Sequence, residues 1–136
     1  MQDGLLISVM HVGSTDPAIP HHSVRNPTWE QIEEAVRPMN GHARSEVIIV
    51  VDDDVDHALM LGGGADDRYV CNAEFHRGQF VLCDLTRPKG KPVPINTGQP
   101  SLYDPQHVVD LEKLLQATRY FAIKGERDPS LSWFKY

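Results

Sequence analysis

Cysteine is nearly absent: Cys71 and Cys83 are the only two in 136 residues, and no Cys-x-x-Cys occurs. A disulfide framework and a thiolate metal site are therefore both excluded. Long apolar runs are missing too, since the longest, Val47 to Val51, falls far short of the roughly 20 residues that a membrane-spanning helix needs. Met1-Gln2-Asp3-Gly4 carries no positive n-region and no signal-peptide apolar stretch, which predicts a cytoplasmic chain. Positive charge is in deficit: 13 Lys and Arg face 19 Asp and Glu, for a net charge of −6. That balance argues against nonspecific binding to nucleic acid or to an anionic membrane. Catalytic and metal signatures are lacking as well. There is no HExxH, GxGxxG or GxSxG, and the run from Asp52 to Asp56 lacks the glycine and glutamate that an EF-hand loop requires. Of the seven histidines, His21 and His22 are sequence neighbours whose side chains diverge in most backbones. No catalytic residue, cofactor or metal ligand is assigned.

What is present, with 40% apolar and 24% charged residues, suits one globular domain over residues 1–136. Leu5 to Met10 reads as a strand and Gly13 to Ser23 as a loop. A helix follows, opened by Asn26-Pro27 or by a Thr28/Gln31 capping box, with Trp29, Ile32, Ala35 and Val36 on one face and Pro38 with Gly41 closing it. Val47 to Val51 is β-branched throughout and reads as a central strand covered on both faces. A second strand, His57 to Leu61, ends at Gly62-Gly63-Gly64, best read as a turn needing positive φ. Arg68 to Phe75 and Gln79 to Leu85 form a hairpin across His76-Arg77-Gly78. Pairing Phe75 with Gln79 sets Cys71 opposite Cys83 on one buried face. Val93 to Asn96 suits a short edge strand. A second helix starts at Asp104-Pro105 and ends at Gly125, with Val108, Leu111, Leu114, Leu115, Thr118, Phe121 and Ala122 as its apolar stripe. Leu131 to Phe134 is strand-like. The fold class is α+β: a mostly antiparallel sheet with two main helices packed on it.

Charge is unevenly spread. Glu46 to Glu74 holds eight acids against one base, Arg68, for −7, whereas Phe75 to Pro100 carries +3. Asp52, Asp53, Asp54 and Asp56, with Asp66 and Asp67, are thus candidates for an electrostatic contact surface, and a solvated face is the plainer alternative. A five-residue strand between the two groups spans about 17 Å, so they can lie at opposite ends of the sheet. A rival chemistry is a small enzyme or small-molecule binder pairing His57 with Asp56.

Several C-terminal features occur together: Asn96-Thr97-Gly98-Gln99, then Tyr103 and Pro105, a helix closing in Tyr120-Phe121-Ala122-Ile123-Lys124-Gly125, and Leu131-Ser132-Trp133. With the early helix after Asn26-Pro27-Thr28-Trp29 and the glycine-rich turn, this order resembles the first-numbered family (Imm-one) of immunity proteins from bacterial polymorphic toxin systems. That family has a Gly-Gln step, a helix ending in Phe and Gly, and a terminal Leu-x-Trp. The resemblance runs over roughly residues 26 to 134. It implies an antitoxin that binds and neutralises a cognate toxin, often a nucleic-acid deaminase, by occluding its active or substrate-binding site. Its motif residues Trp29, Gly98, Gln99, Phe121, Gly125 and Trp133 suit architecture more than binding. The acidic surface fits the implied function, because a toxin that acts on nucleic acid presents a basic groove.

Overall fold

The computed structural model describes residues 4–136. In chain order its elements are β1 (Ile7–Gly13), β2 (His22–Arg25), α1 (Trp29–Val36), β3 (Glu46–Val51), β4 (Asp54–Gly63), β5 (Tyr69–Phe75), β6 (Gly78–Cys83), β7 (Val93–Asn96), β8 (Pro100–Tyr103), α2 (Leu111–Lys124) and β9 (Ser132–Lys135). The strands pair antiparallel as a seven-stranded sheet, β2-β1-β3-β4-β5-β6-β9, and a separate β7-β8 hairpin. This is the α+β class that the sequence implies. Among the described residues no helix is long and apolar enough to cross a membrane.

Strand alternation sorts the side chains onto two faces. Val47, Ile49, Leu59, Leu61 and Cys71 meet Ile32 and Val36 of α1 and Leu114, Phe121 and Ala122 of α2 in the main core. Full burial of a side chain such as Leu114 or Phe121 is worth about 1.5–3 kcal/mol each. On the opposite face the β7-β8 hairpin covers only part of the sheet, where Ile95 packs with Val70, Val81, Cys83 and Val108. β3 is an interior strand as expected, yet only its helix face is fully buried; Glu46 and Ile48 stay half-exposed on the other.

The capping box decides the start of α1. Thr28 Oγ1 accepts the Gln31 N–H at 3.2 Å and Gln31 Oε1 accepts the Thr28 N–H at 2.9 Å, while Asn26 lies outside the helix at φ 47°. In the glycine run, Gly63 and Gly64 adopt φ 93° and 120°. A Cβ on Gly64 would collide with the Met39 carbonyl oxygen.

Four expectations need correction. The β5-β6 register pairs Phe75 with Gly78, Glu74 with Gln79 and Ala73 with Phe80, so the turn is one residue tighter than the glycine suggests. A one-residue slip moves every side chain to the other face. Cys71 therefore joins the main core and Cys83 the cluster under the β7-β8 hairpin; both thiols are free and buried, but they do not oppose each other. Next, Asp104-Pro105 opens only a 3-10 turn, Pro105–His107. The β-branched Val108 and Val109 then run extended, Val109 bridges to Tyr69, and α2 begins after Asp110, whose carboxylate accepts the Lys113 N–H at 2.9 Å. Third, the expected loop Gly13 to Ser23 overlaps both flanking strands: Gly13 ends β1, and His22 and Ser23 open β2, an edge strand whose register matches His11 with Ser23. Fourth, β4 starts at Asp54, so two of the candidate acids belong to a strand.

Candidate functional site

Asp52 and Asp53 form the β3-β4 turn, and Asp54 and Asp56 lie at the start of β4. Asp52 and Asp53 both have φ 54°, the pair of left-handed residues that a type I′ hairpin demands. Asp53 accepts two hydrogen bonds from the Arg25 guanidinium, at 2.8 and 3.2 Å, and its own N–H donates to Ser8 Oγ at 2.8 Å. The hydrogen bonds from Arg25, then the Ser8 hydroxyl beside the carboxylate, hold the Asp53 carboxyl below the usual range. Asp54 is bonded to His76 Nε2 at 2.5 Å. That bond lowers the Asp54 carboxyl and raises the His76 imidazole. Asp52 and Asp56 are exposed, and among the described residues neither carboxylate has an ion-pair partner.

Asp66 and Asp67 lie past the other end of β4, which has ten residues and so a reach of about 30 Å. Asp67 Oδ1 accepts the Leu111 N–H at 3.0 Å and so helps to anchor the first turn of α2. The six candidate acids thus form two separate groups, and within them Asp53, Asp54 and Asp67 already serve the fold.

The rival His57/Asp56 pair does not come together. His57 turns toward the helices, its Nε2–H donating to the Gly125 carbonyl at 2.7 Å and its ring 5.6 and 5.7 Å from those of Phe75 and Phe121. Asp56 takes part only through its N–H, which donates to Asp54 Oδ1 at 2.9 Å. Among the described residues no group of three or more His, Cys, Asp or Glu is placed to hold a metal ion.

The family-motif residues occupy structural positions. Phe121 is wholly buried. Gly125 ends α2 in the left-handed conformation, φ 68°. Trp29 packs on the main core beneath Arg119, whose guanidinium lies 5.1 Å from the ring centre. Trp133 is half-buried and its indole N–H donates to the Asp128 carbonyl at 3.0 Å. Gly98 turns the β7-β8 hairpin at φ 108°, and the exposed Gln99 closes that turn by accepting the Thr97 N–H at 3.3 Å.

Sequence reasoning missed the open sheet face. Register places Ser23, His11, Ile48, Met60, Asn72, Val81 and Phe134 in one row across all seven strands. Met60 and Phe134 are 39% and 49% exposed. Along this row lies a cavity of about 290 Å³ between β2 and β3, lined by His11, His21, His22, Ser23, Glu46 and Ile48. A second, of about 120 Å³, lies beyond it among Glu46, Ile48, Met60, Asn72, Thr97 and Tyr103. The alternation of Glu46, Ile48 and Val50 within a β-branched run was the available signal, but only the register shows that β2 and the hairpin wall this strip. No family model matches the chain, and no curated protein matches it.

Proposed function

We propose that this chain is an immunity protein, a cytoplasmic antitoxin that neutralises a cognate toxin domain, in the simplest case a nucleic-acid deaminase, by covering its active or substrate-binding site. The observation that carries this reading is the half-covered sheet face, where Ile48 and Met60 stand side by side between His11 and Asn72, and Val81 and Phe134 continue the same row. Apolar and methionine or aromatic side chains at the centre with polar groups around them are the composition of a protein interface. The uncompensated Asp52 and Asp56 at one end of the sheet support the same reading, since acids at a rim speed encounter with a basic partner. The ordered motif residues from Trp29 to Trp133 add the family resemblance. A second reading, a small enzyme or small-molecule binder, keeps one observation in its favour: His11 and Glu46 line the same cavity, a different pair from His57 and Asp56.

The test is neutralisation. Expressed together with the toxin domain encoded beside it, the chain should restore growth and co-elute with that domain as a stoichiometric complex. Equal killing with and without the chain, or the absence of any adjacent toxin, would overturn the proposal.

A further inference from the structure

We infer that Glu46 is the seat for a cation, the guanidinium or ammonium head of a basic side chain presented by the partner protein. In naming the toxin as the source, the inference rests on the function proposed above.

The argument starts from the neighbours of Glu46. At the head of β3 it is flanked in register by Gly13 on β1 and Gly62 on β4, so no cross-strand side chain stands beside it. Gly98, at the tip of the β7-β8 hairpin, approaches from above. A Cβ on Gly13 or on Gly98 would come within 2.6 Å of Glu46 Oε1, which means that the carboxylate fits only because both positions lack a side chain. The space over Gly62 is filled by Thr97, whose methyl would lie 2.5 Å from a Cβ there. That hairpin tip is fixed by Asn96, whose side-chain N–H donates to the Gly41 carbonyl at 2.7 Å. Glu46 is therefore held in place by a rigid cradle.

The cradle supplies space and no counter-charge. Every other acid that is not fully exposed, from Asp16 through Asp54 and Asp84 to Asp128, accepts a hydrogen bond from a protein donor. Among the described residues Glu46 alone of this group has no donor and no ion pair. A half-buried carboxylate without a partner gains from any cation that reaches it, because hydrogen bonds to charged groups are the stronger ones. Room exists on both sides, since Glu46 and Ile48 line both the 290 Å³ and the 120 Å³ cavities. A long basic side chain can lay its methylenes on Ile48 and bring its head to the carboxylate. The rim suits a planar guanidinium best. The larger cavity is lined by His11, whose ring is hydrogen-bonded to Ser23 Oγ at 2.7 Å, and the smaller by Tyr103, whose hydroxyl shares a hydrogen bond of 3.2 Å with Thr97.

The experiment titrates N-acetyl-arginine amide into the isotope-labelled chain at about pH 8, above the ordinary imidazole value, with N-acetyl-norleucine amide as the uncharged control. Saturable amide shifts at Gly13, Ile48 and Gly98 are expected for the arginine probe only, at least about tenfold weaker in Glu46→Gln. Glu46→Asp, which keeps the charge on a shorter arm, should fall between. No saturable shift, or equal shifts in a folded Glu46→Gln, would overturn the seat. In the second arm the cognate toxin domain is the probe, and Glu46→Gln should weaken the complex at least about tenfold through faster dissociation. If arginine amide binds and the toxin complex is indifferent to Glu46→Gln, the protein-borne source is overturned in favour of a free small cation. If the wild-type chain fails to bind the toxin at all, the function proposed above falls, and the arginine titration still decides the seat.

Discussion

Ser45 and Glu46 are sequence neighbours with opposite fates. Glu46 faces the cavities, whereas Ser45 is fully buried and its hydroxyl has no hydrogen-bond partner among the described residues. An unsatisfied buried hydroxyl costs about 1–3 kcal/mol, a penalty that deletion removes. Ser45→Ala should therefore raise stability by roughly 1 kcal/mol, read as a higher denaturant midpoint at an unchanged slope; a fall would show that the hydroxyl has a partner in solution. The His76–Asp54 pair gives a pH-dependent prediction. The raised imidazole contributes fully below its ordinary value of 6.5 and loses that contribution as pH rises through its folded value. The lowered carboxyl contributes above its ordinary 3.8 and loses it as pH falls through its folded value. Both contributions are present together between 3.8 and 6.5. In an NMR titration Asp54→Asn should bring the His76 midpoint down toward the ordinary histidine value, and an unmoved midpoint would refute the pairing. The individual acids were legible in the sequence, but their partners were not, because Arg25 and His76 lie 28 and 22 residues away from theirs.

Elements were read more successfully where local chemistry decides them. The Thr28/Gln31 box, the β-branched run of β3 and the Gly125 cap are all properties of a few consecutive residues, and each appears at its expected place. The misses arose where tertiary pairing overrides a local signal. Gly78 suggested a three-residue loop, yet strand pairing closes the turn at Phe75 and Gly78 and sends Cys83 to the face opposite Cys71. Likewise Asp104-Pro105 is a sound helix start, but Val108 and Val109 gain more as buried extended residues and delay α2 to Leu111. The β3-β4 turn supplies a prediction at this scale. Gly adopts the left-handed region without the Cβ penalty that Asp carries, and Asn-Gly is the favoured type I′ pair. Asp52→Asn with Asp53→Gly forfeits the exposed link to Arg25, and exposed ion pairs contribute little to stability. A net gain in stability, read as a higher denaturant midpoint, is expected in chemical denaturation. A loss of stability would show that the Arg25 link, and not the turn, governs this end of the sheet.

For the molecule as a whole, the acidic block in the sequence dissolves into separate fields. Antiparallel folding carries Glu46, Asp66 and Asp67 to one end of β3 and β4 and leaves Asp52 to Asp56 at the other, about 30 Å away along the strands. That separation exceeds the screening length of about 10 Å at 0.1 M salt, so the two groups act independently on an approaching partner. Within the turn, reversing Asp53 or Asp54 would also set like charge against Arg25 or His76, which confounds steering with local repulsion. Asp52 and Asp56 are the clean probes. Neutralising both as Asn moves the net charge from −6 by two, to −4, with no ion pair lost. If the turn guides the toxin, the double variant should associate about two- to tenfold more slowly at low salt, with the difference fading as salt rises and dissociation unchanged. Asp66→Asn, at the far end, is the control and should leave the rate near that of the wild type. Equal slowing by both variants would assign the steering to net charge alone. A rate indifferent to salt and to all three substitutions would remove the acids from the encounter and leave the sheet face, with Met60 and Phe134 at its surface, as the contact to be mapped.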